Sequence, residues 1–381
     1  MFVQSKSFDR TCYEVGKLIE VNYMNSYLSI KIKVLSLLAI LMVIYHHSYN
    51  LKERSPGAIN WDFNGFFQVF FNSGITVMAV EFFFAVSGYL YFYNFTPSWA
   101  NFLDKYKKRF FSLAVPFLLW SLWGIIFYFV MQSLPFTDRY FADDLLVRNY
   151  TLGDFIKTLL IEPLAYPLWF LPELFKYVLL SPLIYFYIKK FSHYSVLPFA
   201  LCWFFGVKMM IFREEGILFF LLGSLLAIKG IDLNMRARSV FIYATAVMWV
   251  AMAVAQTYFA YSWWDFSPYL DKLCVALGVA SIWQLYDIIV EGKTVSQPIL
   301  NLSSYTFFLF LSHEPVLHIY KKLLFLILGS SSSGSLLIYI TAPLLTIATG
   351  LAAARLLELY TGPFYKVITG NRKVKLNQRS C

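Results

Sequence analysis

Apolar positions in this chain fall in long unbroken runs, not in the spaced stripe of a soluble helix or the alternation of a half-buried strand. A helix needs about 20 mostly apolar residues to cross a hydrocarbon core about 30 Å thick. Runs of that kind predict ten membrane helices, at about 34–50, 73–94, 110–131, 168–188, 195–211, 216–230, 239–260, 269–290, 302–322 and 335–358. The fifth and sixth are short, and the link between them carries Lys208, Arg213, Glu214 and Glu215. The expected fold is all-α: a polytopic transmembrane helical bundle spanning 34–360. An N-terminal segment (1–33) precedes it and a basic tail (361–381) follows.

Composition supports that reading. Of 381 residues, 59% are hydrophobic, 20% aromatic and only 14% charged. Soluble domains carry about a quarter charged residues, and 39 Phe, 27 Tyr and 10 Trp exceed what one soluble core could hide. A soluble enzyme and a disordered chain are excluded. The net charge of +10 follows the positive-inside rule: 21 Lys and Arg fall on one set of loops and termini, and ten on the other. Both termini are therefore expected in the cytoplasm. The basic charge is topology, so the partner it implies is the lipid bilayer and not nucleic acid. Cys12, Cys202, Cys274 and Cys381 are scattered without CxxC or Cys/His spacing, which predicts neither a metal site nor a disulfide framework. Residues 1–33 lack the apolar core of a cleavable signal peptide.

Two outer connections have candidate roles. The 132–167 connection carries Asp138, Asp143, Asp144, Asp154 and Glu162, and reads as a solvated loop or a substrate-facing lid. Trp263–Trp264–Asp265 has the composition of a sugar-stacking patch, and equally that of an interfacial aromatic anchor.

A charge near the bilayer centre costs at least about 2.5–3.5 kcal/mol, so intramembrane ionisable residues are functional candidates. His47, Glu81 and His313 stand out. At 1.5 Å per residue, His47 lies about 20 Å along a helix starting at Val34, about 10 Å below the outer surface. Glu81 lies about 12 Å below that surface if its helix starts at Ser73, and His313 lies about 15 Å into the ninth helix. The matched depths of His47 and Glu81 predict a general-base pair, the carboxylate orienting the imidazole while its other nitrogen takes a proton from a hydroxyl. Each residue also has a plainer reading: an interfacial helix end for His46–His47, an interhelical hydrogen bond for Glu81, packing for His313.

These residues sit in motifs. LAILMVIYHH resembles the first-helix motif of the acyltransferase 3 family of membrane O-acyltransferases, and VEFFFAVSGYL is similar to its second signature. KKRFFSLAVPFLLW resembles the basic segment entering the third helix, while PLWFLPELF and SSYTFFLFLSHEPV resemble later elements. The order covers about residues 30–320. The resemblance implies a ten-helix fold that uses acyl-CoA, most often acetyl-CoA, as donor substrate with no permanently bound cofactor. It implies a saccharide or lipid-linked glycan as acceptor, and a bacterial inner membrane as location. By position His47 matches the family's essential histidine, Glu81 its acidic residue, Ser87 and Gly88 its Ser-Gly, and Arg109 the first basic residue of the third helix. The implied mechanism places CoA phosphates near Lys107, Lys108 and Arg109, charges that the positive-inside rule also explains. It lines the thioester path with Ser87 and Gly88, and offers Trp169 or His313 to the tetrahedral oxyanion. Two positions depart from the pattern: Ser36 stands where the first-helix arginine belongs, with Lys33 the nearest upstream cation, and Ser112 replaces the second basic residue before Pro116. The competing readings are a transporter, flippase or polymerase for lipid-linked glycans, and a membrane sensor without chemistry. The first group predicts inverted repeats or midplane helix breaks, and no repeat is present in the sequence.

Overall fold

The computed structural model describes residues 26–51, 62–135, 146–233, 238–262, 267–290 and 293–371. Trp263–Trp264–Asp265, Asp138, Asp143, Asp144, Cys12 and Cys381 lie outside these residues. The described chain is helical throughout, without a strand.

The first helix, α1 (Ser26–Ser48), begins eight residues before the apolar run that predicts it. Lys31 and Lys33 precede that run, yet Lys31 is fully buried: its Nζ lies 2.8 Å from both carboxylate oxygens of Asp287. Tyr27 donates to the same carboxylate at 2.6 Å, and the ammonium lies 4.2 Å from the Trp283 ring centroid. A cation so paired is tolerated where an isolated one is not.

The second membrane helix also starts early, running from Phe63 to Phe92. It comprises α2 (Phe63–Val69), a π-helical turn (Phe70–Ile75), a 3₁₀ turn (Thr76–Met78) and α3 (Ala79–Phe92). Asp62 caps it by accepting from the Gly65 N–H at 2.7 Å. The Ser332 hydroxyl donates to the same carboxylate, and these two bonds hold Asp62 below the usual carboxylate range. Asn64, Gln68, Asn72 and Thr76 recur every fourth residue and are all buried, a polar stripe turned inward against α1 and the helix Ser332–Tyr360.

The remaining elements are α4 (Trp99–Arg109), a π-helical turn (Phe110–Ala114), α5 (Val115–Gln132), α6 (Leu152–Leu160), α7 (Phe170–Leu179), α8 (Ser181–Phe191), α9 (Leu197–Phe205) and α10 (Glu214–Ile228). They are followed by α11 (Ser239–Ser262), α12 (Ser267–Ile289), α13 (Gln297–Ser303), α14 (Thr306–Leu328), α15 (Ser332–Tyr360) and α16 (Gly362–Ile368). Six of these helical stretches are long and apolar enough to span a membrane: α1, 63–92, 99–132, α11, α12 and α15. A pair bent by 63°, Tyr166–Leu179 with Ser181–Phe205, adds a seventh when counted as one span. The apolar runs at 216–230 and 302–322 also fold as helices. However, α10 has only 15 residues, and α14 carries Glu314, Lys321 and Lys322. In the 132–167 connection, α6 is capped by Thr151 and Asp154 and tied to α5, where Ser121 donates to the Thr158 carbonyl.

The closest helix contact is α3 on α10, two helices running in the same direction. It depends on missing side chains. A Cβ on Gly88 would stand 2.1 Å from the Phe220 carbonyl oxygen, and one on Gly223 would stand 1.9 Å from that of Ala85. Membrane helices gain affinity by such backbone approach. Gly223→Val is therefore expected to cost at least about 3 kcal/mol and to lower the thermal transition of the detergent-purified protein sharply. Gly362→Ala, where no atom lies within 4 Å of the added carbon, should leave that transition unchanged. Equal transitions would mean that α3 and α10 are not in this register.

Candidate active site

Two adjacent histidines end α1 and do different things. His46 Nδ1 lies 3.2 Å from both the Asn72 carbonyl and the Thr76 hydroxyl, while the Asn72 amide donates to the His46 carbonyl at 2.8 Å. His46 thus ties α1 to the second membrane helix. His47 points the other way. Its ring centroid lies 5.7 Å from that of His313 on α14, with the planes inclined by 36°. Among the described residues no side chain hydrogen-bonds the His47 imidazole. Lys321 is one stretch of α14 further on. Its ammonium does not snorkel outward: it donates to the His47 carbonyl at 2.9 Å and completes the C-terminal end of α1.

His313 is 1% exposed, the most enclosed of the candidates. It sits two residues before Pro315, where α14 breaks: Glu314 has non-helical backbone angles (φ −106°, ψ 134°). Its Nδ1 lies 2.7 Å from the Phe310 carbonyl oxygen and 3.1 Å from that of Leu309. Its Nε2 is buried and has no hydrogen-bond partner. A neutral His313 therefore has no N–H left for an oxyanion, because the one it carries is committed to the backbone.

Glu81 and His47 are not hydrogen-bonded in the structure. The reason is register. His46 meets Asn72 and Thr76, so Glu81, five residues beyond Thr76, lies about 7.5 Å further down the antiparallel neighbour. The equal depths require a helix starting at Ser73, and the helix starts at Phe63. Glu81 Oε2 is buried without a hydrogen-bond partner among the described residues.

Around Trp169 the structure gathers a group that spacing alone does not reveal. The Arg213 guanidinium lies 4.0 Å over the Trp169 ring, and the Arg213 backbone N–H donates to Glu173 at 2.9 Å. Tyr177 donates to Glu173 at 2.6 Å, and Lys176 lies 2.5 Å from it. Trp169 also packs against Phe84, at 6.2 Å between centroids. An aromatic file then leads from this group to the histidines: Phe84 to Phe170 (4.6 Å), Phe170 to Phe310 (5.7 Å) and Phe310 to His313 (6.2 Å). Ring packing thus links Trp169, through Phe84, Phe170 and Phe310, to His313 and His47.

The other candidates divide. Gly88 sits in the α3–α10 contact, and Ser87 is half-buried beside it. Lys107 and Lys108 are exposed at the end of α4, with Lys108 paired to Asp104 at 2.6 Å. Arg109 is half-buried. Lys105, which spacing does not single out, turns inward: it donates to the Tyr91 carbonyl and lies 4.8 Å over that ring. No three His, Cys, Asp or Glu side chains converge on a metal-sized position among the described residues.

Comparison with known proteins fits this arrangement. Residues 30–355 match the family model described as an acyltransferase domain, acyltransferase 3. The chain is also 23% identical over 355 residues to the succinoglycan biosynthesis protein ExoH of Rhizobium meliloti (strain 1021), an alignment covering 92% of this chain and 94% of that protein. No solved structure matches. The family match takes in α1 with His47, the Glu81 helix and His313 together, and this multi-pass membrane protein belongs to the acyltransferase 3 family.

Proposed function

We propose that the protein transfers an acyl group, in the simplest case acetyl, from acyl-CoA to a hydroxyl of a cell-surface or lipid-linked saccharide, with His47 as general base. The observation that carries this reading is the pair of imidazoles, His47 and His313, whose ring centroids lie 5.7 Å apart where α1 meets α14. Intramembrane histidines persist where chemistry needs them, and the family supplies the reaction class. The succinoglycan named for the relative supports a saccharide acceptor.

Ten crossings with both termini in the cytoplasm suit the helix directions: α1 and α14 run one way, while 63–92, α10 and α15 run the other. In a bacterial inner membrane so arranged, acyl-CoA enters from the cytoplasm with its phosphates near Arg109, Lys107 and Lys108, joined by Lys105. The thioester extends past Ser87 and Glu81 toward His47. The acceptor hydroxyl reaches His47 from the outer end, and Trp169 stands on the aromatic wall as a surface for the sugar or a donor to the oxyanion. A cleft of about 570 Å³, lined by Trp120, Trp123, Phe308, Ser312 and Gly350, opens beside α14 and suits the hydrocarbon of a lipid-carried acceptor.

The test is incorporation of label from acetyl-CoA by protein reconstituted into liposomes containing lipid-linked saccharide. Label in the saccharide, with stoichiometric CoA thiol, is the expected result. Movement of the saccharide across the bilayer without acylation would instead make the protein a transporter or flippase.

A further inference from the structure

His313 is held in a single tautomer by its own helix. A backbone carbonyl oxygen has two lone pairs, so those of the preceding turn can accept from the ring as well as from a helical N–H. His313 Nδ1 points into that turn, 2.7 Å from the Phe310 carbonyl. Carbonyl oxygens only accept, so Nδ1 carries the proton and Nε2 carries the lone pair. That lone pair is buried and meets no donor among the described residues. The neighbouring ring, His47, lies 5.7 Å away between centroids and has no orienting hydrogen bond of its own among the described residues.

We propose that His47 and His313 form a two-imidazole proton relay, in which His47 takes the proton of the acceptor hydroxyl and His313 Nε2 is the terminal acceptor. The inference rests on the acyl-transfer reading above and adds a residue role to it. As the acceptor oxygen attacks the thioester carbonyl, its O–H bond breaks and the proton passes to one nitrogen of His47. The proton on the other His47 nitrogen passes to His313 Nε2. The C–O bond forms, the C–S bond breaks, and the thiolate leaves. The relay then runs in reverse, delivering one proton to the sulfur, so that CoA departs as the thiol and both imidazoles are neutral again. The Phe310 carbonyl stabilises the transient His313 imidazolium through Nδ1–H, the part that an orienting carboxylate plays for other catalytic histidines. A small ring rotation brings the nitrogens from the observed separation into hydrogen-bond reach, as is common on substrate binding.

His313→Asn separates the relay from packing, because the asparagine amide keeps the donation to Phe310 while Nε2 is lost. The expected result is an unchanged thermal transition, a KM for acetyl-CoA within about threefold of wild type and a kcat lowered about 10²–10³-fold. Added imidazole should restore part of the rate to His313→Ala. A folded His313→Asn protein with kcat within threefold of wild type would overturn the relay. If the variant does not fold, the wild-type rate in H₂O/D₂O mixtures decides. A bowed dependence is expected for two protons in flight, and a straight line overturns the proposal. Wild-type protein that transfers no label at all sinks the acyl-transfer reading, and the relay falls with it. An active wild type with an indifferent His313→Asn sinks the relay alone.

Discussion

His47→Ala is expected to lower acyl transfer about 10³-fold, the range over which a positioned base acts, without lowering the thermal transition of the purified protein. The structure motivates both halves. Among the described residues the His47 side chain makes no hydrogen bond that holds helices together, and its tie to α14 runs through the backbone carbonyl that accepts from Lys321, which alanine keeps. Its ring instead faces His313 in the one place where two imidazoles meet across helices inside the described bundle. His46→Ala should show the reverse pattern. It removes contacts to Asn72 and Thr76, so stability should fall by about 1 kcal/mol while kcat changes by less than tenfold. Label transfer in proteoliposomes, run beside thermal unfolding in detergent, reads both. Equal transfer by wild type and His47→Ala would remove His47 from the chemistry.

Asp287→Ala should destabilise the fold by about 3–5 kcal/mol, the cost of stranding a buried charge. Lys31 is 0% exposed and its carboxylate partner 4% exposed, so neither has water to fall back on. Tyr27 loses its acceptor in the same variant. The ends of α1 and α12 are joined through this cluster. The expected observation is a folded yield close to zero, or a thermal transition lowered by well over ten degrees. Replacing both charges, Lys31→Met with Asp287→Leu, should recover most of that loss, because an apolar pair of similar volume needs no compensation. A single Asp287→Ala protein as stable as wild type would show that the Lys31 ammonium reaches water or another anion at little cost, contrary to the observed packing.

Much of the architecture is legible in the order of residues alone. Unbroken apolar runs announce membrane helices because crossing the core is a local requirement on about 20 residues, and the structure is helical along these runs, with six stretches, or seven with the bent pair, long and apolar enough to span. Two helix starts escape that reading, each for an identifiable reason. Lys31 and Lys33 look like the cytoplasmic edge of the first span, yet Asp287, distant in sequence, lets Lys31 enter the bundle. In FNGFFQVFFNSGIT the polar residues at 64, 68 and 72 fall outside the predicted span, although with Thr76 they keep the four-residue period that marks one helical face. Taken as a stripe, they move the second helix to Phe63. The equal depths of His47 and Glu81 dissolve with that shift.

The chain's sequence alone determined the helical class, the membrane setting, the family, and the candidacy of His47, Glu81 and His313. Each of these depends on residue types within a short stretch, or on their order along it. The tertiary structure decided which of them meet. It set His47 against His313, lowered Glu81 by a turn and a half, turned Lys105 and Lys321 inward, and brought Arg213 over Trp169. Register between helices is fixed by glycine contacts such as Gly223 on Ala85 and by long-range polar pairs such as Lys31 with Asp287. A shift of a few residues moves a side chain by a full turn of about 5.4 Å, and no pattern within one helix reports where its neighbour begins.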